Sequence, residues 1–250
     1  MLNIIPIPAF EDNYIWLIEN GSQATVVDPG DHTPVISFLS KRGLELTNIL
    51  ITHHHSDHIG GVNALIHEFA PQVFAPEKEQ YHFPHLSVSD QQIIHIADLN
   101  ISFEVMDVGG HTLGHVAYYG ANSLFCGDTL FGGGCGRLFE GTPLQMFNSL
   151  QKIAKLPPST AVYCAHEYTE HNLQFAKSVE KNNLHLLERI RQARMTRAAG
   201  FPTIPSSIKL ELATNPFLRS NSTEICQALN MQHADPIEIF TILRQMRNQF

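Results

Sequence analysis

Cysteine is scarce, and nothing about the four present (Cys126, Cys135, Cys164 and Cys226) suggests stapling. They form no CxxC pair and no dense framework, so a disulfide-held small domain is excluded and reduced thiols in a cytosolic protein are expected. Basic residues are also few: 16 Lys and Arg against 24 Asp and Glu leave a net charge of -8. That balance argues against a general nucleic-acid or anionic-membrane binder. It leaves room for an anionic small substrate if a few basic residues gather locally. No uninterrupted apolar run is long enough to span a bilayer. The apolar start, Met1 to Pro8, lacks a basic n-region and is broken by prolines, so it reads as a first strand and not as a signal peptide. There is no Pro-, Gly- or Ser-rich linker, internal repeat or low-complexity tract.

What is abundant is histidine, 15 residues, close to Lys and Arg combined. The rest of the composition is that of a soluble globular chain, with 43% hydrophobic and 16% charged residues over 250 positions. That length allows one large domain or one domain with a smaller partner. The histidines concentrate in Thr52-His53-His54-His55-Ser56-Asp57-His58, directly before Gly60 and Gly61. The preceding Asn48-Ile49-Leu50-Ile51 reads as a short buried strand. The following Val62, Leu65, Ile66 and Phe69 have helical apolar spacing. A ligand-rich loop between a strand end and a helix start makes a metal site the leading reading.

Around this cluster the chain alternates. Residues 14–18 and 24–30, joined by an Asn20-Gly21 turn, read as a β-meander. Thr33 as N-cap, Pro34, an apolar stripe of Val35, Ile36 and Leu39, and Gly43 predict a helix. Strand-like runs follow at 72–75, 92–96, 101–108, 115–119 and 123–126. Thr142-Pro143 opens a helix carrying Phe147, Leu150, Ile153 and Ala154, and 160–164 is a further strand. Beyond about residue 170 strand signals mostly stop. Asn183 to Ala199 reads as a helix closed by Gly200, and Asp235-Pro236 caps a last helix containing Arg244 and Arg247. The expected architecture is a β-rich α/β domain with a helical C-terminal portion.

His53 and His55 stand two apart, so on extended backbone their side chains point to one side. Asp57 and His58 follow on the turn and could serve a second ion. Imidazole and carboxylate suit zinc, iron or manganese. His111, Asp128 and His166 each fall directly after an expected strand, in a Gly- or Ala-containing turn, where sites are commonly assembled. Each of the three, taken singly, is as readily an ordinary polar residue or a cap. Together with 53–58 they make seven candidate ligands, enough for two ions sharing one carboxylate.

Four motifs in order, Thr-His-His-His-Ser-Asp-His, Gly-His-Thr-Leu-Gly-His, Cys-Gly-Asp-Thr-Leu and Cys-Ala-His-Glu-Tyr-Thr, resemble the metallo-β-lactamase superfamily. Three later features resemble the glyoxalase II (hydroxyacylglutathione hydrolase) family: Gly134 to Thr142, Thr214-Asn215-Pro216-Phe217-Leu218-Arg219, and the basic C-terminal helix. The resemblance covers essentially the whole chain. It implies an α/β (α+β) fold, an αββα sandwich over residues 1–168 with a helical glutathione-binding domain over 169–250. It also implies a dinuclear centre, with zinc expected first and iron or manganese open. His53, His55 and His111 would hold one ion, Asp57, His58 and His166 the other, and Asp128 would bridge them. The implied reaction is hydrolysis of S-D-lactoylglutathione to D-lactate and glutathione, the second half of methylglyoxal detoxification. A metal-bridging hydroxide would attack the thioester carbonyl, with Asp57 a candidate to orient it. Arg137, Tyr168, Arg244 and Arg247 fall at glutathione-contacting positions. A cytoplasmic monomer is expected, with no nucleic-acid or membrane partner.

The chain departs from the family pattern in places. Arg137 and Arg247 stand where lysine is common, which keeps charge and changes donor geometry. Phe139 replaces a tyrosine. Gly109 stands where proline is usual, which predicts a more flexible loop. Without the resemblance, Arg244 and Arg247 read as a solvated C-terminal turn. The Gly132–Gly134 run reads as a backbone turn, since no phosphate-loop Lys-Ser/Thr follows. His54 and His115 are expected to support the ligands, and Asp28 to serve as a supporting or turn residue. His32, His67, His82, His85, His95, His171, His185 and His233 are expected at the surface. Two rivals remain: a mononuclear iron persulfide dioxygenase using His53, His111 and Asp128, and a non-catalytic metal-binding protein.

Overall fold

The structure, a computed structural model, describes residues 3–250; Met1 and Leu2 of the expected opening strand lie outside them. Among the described residues no helix is long and apolar enough to cross a membrane. The chain divides into two compact units. One runs up to Asp107 and includes Thr112–Gly127; the other comprises Val108–His111 and Asp128–Phe250.

In the first unit, β1 (Asn3–Ala9) and β2 (Asn13–Asn20) pair antiparallel, and the Asn20-Gly21 turn leads into β3 (Gln23–Val27) as expected. Helix α1 (His32–Arg42) is capped by Asp31, whose side chain accepts from Thr33 N at 2.8 Å. The expected cap Thr33 is thus the donor, not the acceptor, because the helix starts two residues earlier than the Thr-Pro signal suggests. Gly43, at φ 64°, ends the helix as expected. Strand β4 (Glu45–Leu50), the single turn α2 (Ser56–Ile59), α3 (Val62–Phe69), β5 (Gln72–Pro76) and β6 (Leu86–Val88) follow.

Strands β3 to β6 run parallel, which requires crossovers; α1 and α3 supply the first two. Their buried stripes, Val35 and Leu39, then Val62 and Leu65, share one core with Val26, Ile49 and Val73. Each such fully buried side chain contributes roughly 1.5–3 kcal/mol. The short β6 has no apolar pattern, with Leu86 and Ser87 exposed, which is why periodicity does not reveal it. Parallel pairing of Val27 with Leu50 brings the carboxyl ends of β3 and β4 side by side, so Asp28 and the Thr52–His58 loop emerge at one edge. An antiparallel meander completes the unit: β7 (Ile93–Ile96), β8 (Ile101–Asp107), β9 (Val116–Gly120) and β10 (Ser123–Gly127). From β9 the buried Tyr118 donates to the Ile51 carbonyl at 2.8 Å, just before the histidine loop.

The second unit begins with a tiny hairpin, β11 (Leu130–Phe131) and β12 (Gly134–Cys135), whose loop is the glycine run. Then come α4 (Pro143–Ile153), β13 (Ala161–Cys164), α5 (Thr169–Val179), α6 (Leu184–Ala198), β14 (Ser206–Ser207), α7 (Ile208–Thr214), α8 (Thr223–Ala228) and α9 (Pro236–Gln249). Capping boxes Thr142/Gln145 and Asp235/Glu238, each with proline in the first turn, start α4 and α9. Phe240 of α9 packs edge-on against Phe147 (5.7 Å) and Phe217 (5.8 Å). Beneath the hairpin lies a buried polar knot. Glu211 accepts from Arg189 Nη2 at 2.5 Å, Gly133 N at 2.9 Å, Asn215 Nδ2 at 3.0 Å and the Ser206 hydroxyl.

Candidate metal centre

In the first unit the ligand-type residues are oriented by a carboxylate behind them. Asp28, buried at the end of β3 with φ 53°, accepts from Thr52 N at 2.8 Å and from the Thr52 hydroxyl at 2.7 Å. Its Oδ2 also lies 3.0 Å from His58 Nδ1. An ionised carboxylate only accepts, so His58 carries its proton on Nδ1 and presents the Nε2 lone pair. The same logic reaches His53. The Thr52 hydroxyl has spent its hydrogen on Asp28, so at 3.0 Å it accepts from His53 Nδ1. His53 Nε2 therefore offers a lone pair, and it faces His55 Nδ1 at 3.1 Å.

Asp57 lies in the single turn α2, its Oδ2 3.5 Å from His58 Nε2 and accepting from Asn13 Nδ2 at 3.0 Å. Asn13, buried at the start of β2, carries no sequence signal for this role. Gly30 allows the close approach of β3's exit to α2, since a Cβ there would overlap the Asp57 carbonyl. His54 points to Glu79, Nδ1 to Oε2 3.1 Å, while His115 stacks on His53 with centroids 4.6 Å apart. Asp28 thus holds Thr52 and His58 from behind, and its carboxylate also lies close enough to His53 and His58 to form a candidate ligand group with them.

In the second unit His111, Asp128 and His166 come together. The Arg137 carbonyl accepts from His111 Nδ1 at 2.7 Å, which leaves the Nε2 lone pair 3.3 Å from Asp128 Oδ2. Asp128 Oδ1 lies 3.4 Å from His166 Nε2. One carboxylate thus turns a separate oxygen to each of two imidazoles, the disposition a bridging ligand needs. Two imidazoles and a carboxylate, all buried, fit a divalent cation. The segment after β12 wraps this group. Phe139 N and Glu140 N donate to the His111 carbonyl at 3.2 and 3.3 Å, and Gly136 N donates to the Thr129 carbonyl at 3.2 Å. A Cβ at Gly136 would overlap the Asp128 carbonyl oxygen, so Gly136→Ala must displace Asp128. A shift near 1 Å costs on the order of 10²-fold in rate. We expect Gly136→Ala to lose roughly that much kcat while Arg137→Ala, one residue on, keeps its metal; metal analysis beside kinetics checks this.

A cavity of about 430 Å³ in the second unit contains His111 and Asp128 in its wall. Arg137, Tyr168, Arg244 and Arg247 line it as well, so these four sequence candidates do converge. So do three residues without a legible signal, Phe131, Cys135 and Asn172, and His171, which is exposed at the rim as the sequence expects. Tyr168 stacks on His166, 4.7 Å between centroids and 6° between planes. The solvated-turn reading of α9 is not what the structure holds. Arg244 is buried, with Nη1 donating to the Cys135 carbonyl at 2.7 Å, Nη2 to Asn248 Oδ1 at 3.0 Å, and its plane over Phe217. Arg247 is half-buried and donates to Asn172 Oδ1. Burial, then the neighbouring Arg244, push its pKa down, so positive charge is crowded here and an anionic ligand would relieve it. Burial likewise pushes the Cys135 thiol up, against the opposing pull of Arg244. Gly109 is not loose: its carbonyl accepts from Ser149 Oγ at 2.7 Å and the glycine is buried.

Residues 9–166 match the family described as metallo-beta-lactamase superfamily, and residues 167–250 match hydroxyacylglutathione hydrolase C-terminus. A hydroxyacylglutathione hydrolase of Methylobacillus flagellatus is 56% identical over the full length of both chains. One of Vibrio campbellii is 47% identical, again covering both chains completely. Among solved structures, the B3 metallo-beta-lactamase BLEG-1 superposes with a TM-score of 0.65 at 25% identity, covering 87% of this chain and 99% of its own. The fold is therefore the α+β metallo-beta-lactamase fold with a helical C-terminal region, as the motifs imply.

Proposed function

This chain belongs to the hydroxyacylglutathione hydrolase family of the metallo-beta-lactamase superfamily, and from that premise we propose that it hydrolyses S-D-lactoylglutathione to D-lactate and glutathione. One observation supports the reading above others. His111 and Asp128 share the walls of a single cavity with Arg137, Tyr168 and Arg247, so metal-type donors and anion-binding donors meet around one ligand volume. His53, His55 and His111 are proposed to hold one ion and Asp57, His58 and His166 a second, with Asp128 bridging. Zinc is the proposed metal, with iron or manganese accepted by the same ligand types. When bound, such ions lower the pKa of coordinated water from 15.7 towards about 7 and polarise a carbonyl oxygen.

The chain's own residues supply the rest. Asp57, steadied by Asn13, orients the attacking water. Arg137 and Arg247 take the carboxylates of the glutathionyl group, and Arg244 adds charge from beneath. Tyr168, fixed by its stacking on His166, donates beside them. Water gives up a proton to solvent as its oxygen bonds to the acyl carbon, the C–S bond breaks, glutathione departs as thiolate and the new acid ionises; a thiol pKa near 8.5, the free cysteine value, needs no acid residue. Residues 1–168 would carry the chemistry and 169–250 the rest of the glutathione binding beside Arg137 and Tyr168, in a cytoplasmic monomer.

Thiol release from S-D-lactoylglutathione by purified protein tests the reaction, and steady turnover is expected. Oxygen uptake on glutathione persulfide without thioester hydrolysis would return the chain to the iron dioxygenase reading. Arg247→Ala should raise KM roughly 10–100-fold with kcat nearly kept, the worth of one charged hydrogen bond at about 1.5–3 kcal/mol. An unchanged KM would remove Arg247 from the binding site. Arg244→Ala should differ by lowering thermal stability as well, since it strips a donor from the Cys135 carbonyl.

A further inference from the structure

Glu79 belongs to no motif, and its side chain is 3% exposed in the turn after β5. Donors from three separate segments meet on its carboxylate. His54 Nδ1 lies 3.1 Å from Oε2, the Tyr81 hydroxyl donates to Oε2 at 3.0 Å, and the Thr112 hydroxyl donates to Oε1. Burial first, then Glu79 itself, push the Tyr81 pKa far up, so the phenol stays a donor. The loop after Thr112 rests on the same side chain, for a Cβ at Gly114 would overlap Glu79 Cγ. Neighbouring Lys78 pairs with Asp107 at the end of β8, which ties the turn down a second time.

The partners of Glu79 are the immediate neighbours of proposed ligands. His54 stands between His53 and His55, and Thr112 follows His111. His54 reaches Glu79 while His53 and His55 turn facing nitrogens to each other at 3.1 Å, so a carboxylate that holds His54 fixes the backbone between them. We propose that Glu79 is a positioning residue for the metal centre, its buried carboxylate holding His54 and Thr112 and so setting the two loops that carry His53, His55 and His111. This rests on the metal-centre reading above.

The test is zinc affinity, measured by chelator competition on metal-free protein, for wild type, Glu79→Ala, Glu79→Gln and Thr112→Val. Loss of an outer partner of metal ligands costs about 10–100-fold in metal affinity or activity. Glu79→Ala should weaken zinc binding by that factor and lower kcat similarly, with KM nearly unchanged. Glu79→Gln keeps the volume and one acceptor oxygen, so it should fall between; it also decides the matter if the alanine variant does not fold. The effect of Thr112→Val should shrink in the Glu79→Ala background, since both remove the same contact. Wild-type zinc affinity and kcat in both Glu79 variants, with only the melting temperature lowered, would overturn the proposal. If wild-type protein binds zinc but leaves the thioester intact, the thioesterase reading fails, while the affinity comparison still decides Glu79.

Discussion

Asp128→Asn should abolish most turnover while leaving the fold intact. The carboxylate sends Oδ2 towards His111 Nε2 at 3.3 Å and Oδ1 towards His166 Nε2 at 3.4 Å. An amide of the same shape keeps one acceptor oxygen and puts an NH₂ in the other position. One imidazole lone pair then meets a donor, and a cation shared by the two oxygens loses a ligand and a negative charge. Loss of even an outer partner of metal ligands costs about 10–100-fold in affinity or activity, and loss of a shared ligand should take metal with it. The expected result is a folded protein with kcat down by about 100-fold, the upper end of that range, and reduced metal content. A variant with full metal content and near-normal kcat would show that Asp128 is not a ligand.

The largest effect on stability should come from Glu211→Ala. Glu211 is fully buried, and the Arg189 side chain that faces it is 5% exposed. Removing one partner of a buried ion pair leaves an uncompensated charge and costs about 3–5 kcal/mol. Here the loss extends further, because Glu211 also takes Gly133 N and Asn215 Nδ2. Asn215 Nδ2 in turn reaches the Gly134 carbonyl at 2.9 Å, so the same knot holds the β11–β12 hairpin. Chemical denaturation should show the midpoint falling sharply, and Arg189→Met with Glu211→Leu together should recover part of the loss. If Glu211→Ala unfolds at the wild-type midpoint, the knot contributes nothing net.

The parts legible in the sequence are those governed by neighbours along the chain. Two-residue spacing put His53 and His55 on one side, and their facing nitrogens at 3.1 Å agree. Strand-end placement marked His111, Asp128 and His166 as worth grouping, and the second unit does group them. Cap signals located α4, α6 and α9. The α1 cap was missed by two residues because Asp31 and Thr33 are both good N-caps, and only the backbone decides which one accepts. The illegible parts are contacts between distant segments. Asp28 to His58, Asn13 to Asp57, and Arg244 to Cys135 span 30, 44 and 109 residues, and no periodicity encodes them. The glycine run could be read as a turn, but its being a hairpin loop depends on Glu211 and Asn215 far downstream. The substrate itself came from the later motifs and the basic helix, not from the histidines.

Restoring metal to metal-free protein in steps tests the two-metal thioesterase most directly. Zinc equivalents per chain would be plotted against the initial rate of thiol release from S-D-lactoylglutathione. The rate should climb with added zinc and level off at two per chain. A plateau at one iron per chain, with oxygen consumed on glutathione persulfide and no thiol released from the thioester, would contradict it.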